Sequence, residues 1–229
     1  MLDVFFDKPW RLGGVAGIVF PILFIVAVSI QGEYPNVDAP NDEVRDWFTD
    51  HGEQFIVGDY LMGLTFMIFF PFFLVNLFGL LSGAEGGAAV WSRLALLGGV
   101  VFVVLAAALS LFAATLAFGF GVSDTADDSM IRLAMVMDHF SFFRASLALA
   151  PLLLGSSLVI LRTGVLWRWL AIAGLFVGLA SLGLPIGALD SDTEGAGGGL
   201  VLLGFALTML WILLVSINMI LKREAPAAT

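Results

Sequence analysis

The sequence contains no cysteine, only two histidines and few charged residues. The absence of cysteine excludes disulfides, thiolate metal ligands and a cysteine nucleophile. Lys and Arg number 10 against 19 Asp and Glu, and the net charge of −9 argues against nucleic acid, whose phosphates require a basic surface. No nucleophile elbow, phosphate-binding loop or dinucleotide fingerprint occurs in a suitable context. We therefore expect a protein that is not an enzyme and that holds no cofactor.

Long apolar runs make up most of the chain, which is 60% hydrophobic. A soluble domain of this length could not bury so much apolar surface, whereas lipid solvates it. Six runs approach or exceed the roughly 20 residues that a helix needs to cross a bilayer. They are residues 12–30, 55–81, 94–120, 140–161, 166–189 and 196–221. The sequence predicts an all-α fold, with residues 1–229 forming a single polytopic bundle of six transmembrane helices.

Charge alternates from one connecting loop to the next. Seven of the ten Lys and Arg fall on one side of the predicted bundle, which we call the basic side: Lys8, Arg11, Arg93, Arg162, Arg168, Lys222 and Arg223. Fifteen of the nineteen acidic residues fall on the other, the acidic side. Because Lys and Arg in short loops are retained in the cytoplasm, the basic side and both chain ends are predicted to be cytoplasmic.

The loop between the first two runs predicts a short interfacial helix on the acidic side. Asn41 can cap this helix, and Gly52 can end it. One apolar face repeats at the i, i+3, i+4 and i+7 spacing of a helix: Val44, Trp47, Phe48 and His51. We expect this face to contact the bilayer or the bundle.

Small residues and prolines mark the predicted spans. GxxxG spacing at Gly174 and Gly178, and a patch of Gly13, Gly14 and Gly17, predict close helix packing. Prolines within or near the ends of four spans predict kinks at Pro21, Pro71, Pro151 and Pro185. Before the fourth span, Thr125 and Asp128 have capping-box spacing, which predicts one continuous helix from about residue 126 to 161.

Two charged residues lie about one turn inside predicted spans, below the acidic surface. They are Asp59 in the second span and Arg144 in the fourth, with Asp138 before Arg144 on the same helix and nearer the acidic surface. Charges within a bilayer are costly and are commonly paired or functional. We predict an Asp59–Arg144 ion pair, which is either a structural staple or part of a ligand site that also includes Asp138 and Tyr60.

His51 and His139 are weaker candidates, because each is close to carboxylates on the acidic side. Together they could hold a metal or ligate a haem. A metal site needs three or four convergent ligands, and the sequence has no paired-histidine motif. No metal site is therefore predicted.

Three segments resemble a family of small six-span bacterial membrane proteins of unknown function, common in actinobacteria. They are Glu43-Val44 with Trp47-Phe48 and His51, the Gly-Asp-Tyr-Leu-Met-Gly-Leu segment at 58–64, and Leu-Arg-Thr-Gly-Val-Leu-Trp-Arg-Trp-Leu at 161–170. The resemblance spans nearly the whole chain. It implies a six-helix fold in the bacterial inner membrane and no established activity.

Three functions remain open from the sequence. The first is a non-enzymatic accessory or packing subunit that associates with other membrane proteins. The second is a transporter or binder of a small or lipid-like solute, with a site at Asp59 and Arg144. The third is a haem or metal protein that uses His51 and His139.

Overall fold

A computed structural model of the chain describes residues 9–123, 125–183 and 196–222. Of these residues 88% are helical, and none forms a strand. The helices are α1 (Pro9–Gln31), α2 (Asn41–Glu85), α3 (Val90–Gly121), α4 (Asp128–Thr163), α5 (Arg168–Gly183) and α6 (Ala196–Leu221). The predicted all-α fold is confirmed.

Five of the helices contain stretches that are long and apolar enough to cross a membrane: α1, α2, α3, α4 and Leu202–Leu221 of α6. A shorter apolar stretch, Arg168–Leu182, forms most of α5. The fifth predicted span extends to residue 189, and its residues 184–189 lie outside the described residues. The structure is therefore compatible with a membrane helix bundle of five or six spans.

The helices form one bundle in which chain neighbours pack together. Each helix packs on the next one in the chain, and α6 returns to pack on α1. α4 also touches α2 and α6, so it lies toward the middle of the bundle. Large side chains with no exposed surface fill the interior, among them Phe20, Phe70, Phe73, Leu152 and Ile160.

Small residues allow the helices to approach closely, as predicted. A Cβ added to Gly17 of α1 would collide with Ser216 of α6 and with Phe73 of α2. A Cβ added to Gly174 of α5 would lie 2.6 Å from the indole Nε1 of Trp211. Contacts this short require the neighbouring side chains to shift, so glycine allows the closest packing at both helix crossings.

α2 differs from the prediction because it is one continuous helix of 45 residues. The short interfacial helix is its first part and not a separate element. Gly52 does not end it, since this glycine packs against α3: an added Cβ would lie 2.6 Å from the carbonyl oxygen of Ala117. Asn41 is the first helical residue and not the cap, because Pro40 occupies the N-cap position without a side-chain hydrogen bond.

A π-helical segment, Thr65–Phe69, interrupts α2 directly before Pro71. The amide of Phe70 donates to the carbonyl of Thr65, five residues back. Proline lacks an N–H and its ring clashes with the carbonyl four residues earlier, so the wider turn accommodates Pro71 within the helix. Pro21 and Pro151 lie inside α1 and α4, and Pro185 lies outside the described residues.

α4 is continuous through 36 residues, roughly 54 Å at 1.5 Å per residue. Its cap is Asp127, two residues after the predicted Thr125. The carboxylate of Asp127 accepts bonds from the Ser129 hydroxyl and amide, which lowers the pKa of Asp127. Thr125 cannot cap because its amide and hydroxyl are held in the preceding turn, by the Gly119 carbonyl and the Ser123 hydroxyl.

Candidate functional site

A second hydrophobic cluster, which we call the acidic-side cluster, joins α2, α3 and α4 at the acidic end of the bundle. Its central side chains are at most 2% exposed: Val44, Phe48, Phe55, Leu116 and Ile131. Residues of the 32–40 loop pack against it. The apolar face predicted for Val44 and Phe48 therefore contacts the bundle, while His51 is exposed.

Tyr34 of the 32–40 loop is held in this cluster by aromatic contacts. Its ring lies edge-on to Phe55, with centroids 5.6 Å apart, and within 6.2 Å of the rings of Trp47 and Phe48. Its hydroxyl donates to Oδ2 of Asp138, at 2.7 Å. Burial, followed by the negative charge of Asp138, raises the pKa of Tyr34 well above its ordinary value, so the hydroxyl remains a donor.

Polar side chains of the neighbouring helices fix the 32–40 loop and hence the position of Tyr34. The guanidinium of Arg132 donates to the carbonyl oxygens of Val37 at 2.7 Å and Ala39 at 2.6 Å. The side-chain amide of Gln54 donates to the carbonyl of Ile30 at 2.7 Å. Arg132 of α4 thus holds the loop directly, and Gln54 of α2 holds the last turn of α1, from which the loop begins.

Asp59 and Asp138 form a carboxylate pair beneath this loop. The two are close enough for their charges to interact. Oδ1 of Asp59 is buried and has no hydrogen-bond partner. Within the described residues neither carboxylate forms a salt bridge; the pair that does form on this side is Arg45 with Asp128. Two carboxylates whose charges interact, and which lack a basic partner, attract a proton or a cation.

The predicted Asp59–Arg144 ion pair is wrong for the described structure, in which Arg144 is exposed and forms no salt bridge with Asp59. At 100° per residue, the six-residue separation places Asp138 and Arg144 roughly 120° apart on α4. When Asp138 faces Asp59, Arg144 must therefore face elsewhere. Tyr60 is 71% exposed, and the tyrosine that meets Asp138 is Tyr34. A ligand-binding role for these residues stays a prediction.

The two histidines stand in different surroundings. Nδ1 of His51 lies 3.0 Å from the carbonyl oxygen of Trp47, and its ring stacks on that indole at 4.9 Å. His139 is half-buried, edge-on to the ring of Phe140. In the described ranges no three His, Asp or Glu side chains come together as a possible metal site. The expectation of no cofactor stays a prediction.

The fold and this site together define an all-helical bundle, compatible with a membrane, that carries a carboxylate pair at its acidic end. Comparison with known protein families, with curated proteins and with solved structures finds no match to the chain. Membership in the six-span family that the sequence resembles stays a prediction.

Proposed function

We propose that the protein is an integral membrane protein that binds a small cationic solute at the carboxylate pair of Asp59 and Asp138. The observation that supports this is the buried, unpartnered Oδ1 of Asp59 beside a second carboxylate. An unpaired charge is costly beneath a membrane surface, and such residues commonly mark a ligand or ion pathway. A bound cation would satisfy the free oxygen and remove the repulsion between the two carboxylates.

The chemistry of the pair favours a monovalent cation, either an alkali ion or a small ammonium. Two carboxylates offer charge for one or two positive groups, but a divalent metal would need additional fixed oxygen ligands. The hydroxyl of Tyr34 donates to Asp138, which positions that carboxylate and leaves its other oxygen for the solute. The remaining acidic residues of this side would raise the local cation concentration.

The test is cation-dependent thermal stability of the purified protein in a neutral detergent, at constant ionic strength. Sodium, potassium, ammonium and tetramethylammonium are compared for the wild type, Asp59→Asn and Asp138→Asn. One of these cations is expected to stabilise the wild type, by about 2.7 kcal/mol at 100 times its Kd. Both variants should lose this effect. In the absence of cation, Asp59→Asn should be more stable than the wild type, because the repulsion is gone.

Asp50→Asn is the matched control, because Asp50 is an exposed carboxylate on the same helix. This variant should respond to the cation as the wild type does. The proposal fails if no cation stabilises the wild type, or if Asp59→Asn and Asp50→Asn respond alike.

We propose further that the basic side faces the cytoplasm of a bacterial cell and that the bundle lies in the inner membrane. Arg11 lies in the first turn of α1, Arg93 lies in the first turn of α3, and Lys222 follows α6. Arg162 and Arg168 flank the α4–α5 connection, so all five lie at the same end of an alternating bundle. This asymmetry is the one that orients membrane proteins.

The absence of cysteine allows this orientation to be tested by single-cysteine labelling. Asp38→Cys places a thiol on the exposed 32–40 loop, and Ala88→Cys places one on the exposed α2–α3 turn. In intact spheroplasts a membrane-impermeant maleimide should label the first variant and not the second, while lysis should make both reactive. The opposite pattern would reverse the proposed orientation.

Association with other membrane proteins is the other function expected from the sequence. Its candidate surface is the exposed apolar side of α3 and α5, for example Val104 at 61% and Phe176 at 72% exposure. Lipid covers such a surface as well as a protein partner does. The carboxylate pair is the more specific observation, and it favours solute binding.

A further inference from the structure

A cavity of about 530 Å³ opens at the basic end of the bundle, far along α2 from the carboxylate pair. The start of α1, the last turns of α2, the α4–α5 connection and the end of α6 surround it. Its size is that of a site for one small organic molecule or part of a lipid. We call it the basic-side groove.

The floor of the groove is mainly apolar and is open to the surroundings of the helix. Asn76 also lines it, with its side-chain amide donating to the carbonyl of Phe72 on the same helix. Gly79 and Gly83 of α2 line it and are exposed, and a Cβ added to either would meet nothing within 4 Å. Val75 lies one turn earlier and is 60% exposed. The bare backbone of α2 thus leaves open space along the bundle surface at this level.

The rim of the groove carries two polar groups. Lys222 is half-buried, and its ammonium donates to the carbonyl of Val165 at 3.1 Å. Burial lowers the pKa of Lys222, and within the described residues no carboxylate pairs with it. Nε1 of Trp10, a second lining residue, is buried and has no hydrogen-bond partner. A half-buried cation and an unpaired N–H donor that line the same groove favour an anionic oxygen.

We propose that the basic-side groove holds one phospholipid with an anionic headgroup. Its phosphate would lie against Lys222 and Trp10, and an acyl chain would run along Gly79 and Gly83. Basic pockets between helices at the cytoplasmic surface are known to bind anionic headgroups. Tryptophan is also typical of the headgroup level. The proposal is independent of the carboxylate pair and uses the proposed orientation only to assign the leaflet.

Three occupants of the groove would use its rim and floor differently: a lipid, a soluble anion, and another segment of the same chain. A soluble phosphate would use the rim but not the apolar floor, whereas a lipid uses both. If another segment of the same chain filled the groove, its floor would be part of the protein core. Each alternative gives a different response to variants of the rim and of the floor.

The experiment is lipid retention by native mass spectrometry, after delipidation and titration with phosphatidylglycerol, phosphatidylcholine or glycerol 1-phosphate. The wild type should retain one phosphatidylglycerol in preference to phosphatidylcholine and should not bind glycerol 1-phosphate. Lys222→Gln should weaken phosphatidylglycerol binding about fivefold, while Lys222→Arg should preserve it. Gly83→Leu should fill the floor and weaken binding of both lipids.

Two matched controls make the same kinds of substitution outside the groove. Gly63→Leu adds the same side chain to α2 at a position where a Cβ also meets nothing within 4 Å. Arg93→Gln removes an exposed positive charge at the same end of the bundle. Both should retain phosphatidylglycerol as the wild type does.

Three results would overturn the proposal. The first is equal weakening by Lys222→Gln and Arg93→Gln, which would indicate only general electrostatic attraction. The second is binding of glycerol 1-phosphate as tight as that of the lipid, which would assign the rim to a soluble anion. The third is a loss of thermal stability in Gly83→Leu that is the same in lipid-free and lipid-loaded protein, which would mean that the chain itself fills the groove.

Discussion

Replacing Phe48 with alanine is expected to lower the free energy of unfolding by about 3–5 kcal/mol, whereas replacing Phe70 should cost only about 1–3 kcal/mol. Both side chains have no exposed surface, and both pack among other aromatic rings. The two expected costs differ because the bundle is surrounded by water at the level of Phe48 and by lipid at the level of Phe70 in the membrane that we propose.

α2 is too long for all of it to lie in lipid. Its 45 residues extend roughly 67 Å, against a hydrocarbon core of about 30 Å. In the membrane that we propose, the first turns, which carry exposed acidic residues such as Asp42, Asp46 and Asp50, would therefore lie in water on the acidic side. Phe48 belongs to these turns, so its truncation loses hydrophobic transfer energy and also leaves a cavity.

Phe70 lies in the main core, beside Phe20 and Phe102. Lipid tails are as apolar as this core, so burial there gains packing but little transfer energy. Its truncation should therefore lower the free energy of unfolding mainly through the cavity that it leaves.

Phe72 is the control, because it is 48% exposed on the same helix, and Phe72→Ala should change stability very little. Unfolding by titration with sodium dodecyl sulfate measures all three variants, and an equal cost at Phe48 and Phe70 would contradict the proposed membrane level.

The helical architecture was predictable because its signal is carried by composition over long windows. Runs of 19 to 27 apolar residues cannot remain in water, and a helix satisfies their backbone groups without outside partners. The helix termini were less predictable. α2 begins at Asn41 and α4 at Asp128, because local capping and turn geometry decide between neighbouring polar residues.

The carboxylate pair was predictable only in part. Asp59 was recognisable as a charge within an apolar run, but its partner depends on the rotation of α4, which sequence alone does not set. Tyr34 joins Asp138 across 104 residues of sequence. Its one local signal was its rarity, since the chain has only two tyrosines. A contact of that kind follows from the packing of the loop on the acidic-side cluster and from no motif.

Gly52 shows that local rules for helix ends also fail where tertiary packing decides. Its substitution is the second change for which we expect a large effect. In isolation, glycine after a short amphipathic stretch is a common helix terminator. Here it is a contact residue at the crossing of α2 and α3, directly opposite Gly121. Packing between the two helices continues the helix through a residue that local propensity disfavours.

Gly52→Ala is expected to destabilise the protein by about 1–3 kcal/mol. The added Cβ would lie 2.6 Å from the carbonyl oxygen of Ala117 and 2.8 Å from Cα of Gly121. Both are backbone atoms, so no side-chain rotation can relieve the overlap and the helices must separate. The separation would also loosen the acidic-side cluster, because Phe48 lies one turn before Gly52 on α2.

Three further variants make this prediction specific. Gly121→Ala should cost a similar amount, since its Cβ would lie 2.7 Å from Cα of Gly52. The double variant should cost less than the sum of the two, because the first substitution already forces the helices apart. Gly63→Ala meets nothing within 4 Å and should stabilise α2 by about 0.5–1 kcal/mol, since alanine is the better helix former. Additive costs at Gly52 and Gly121, or a loss of stability at Gly63 equal to that at Gly52, would show that the cost does not arise from the crossing of α2 and α3.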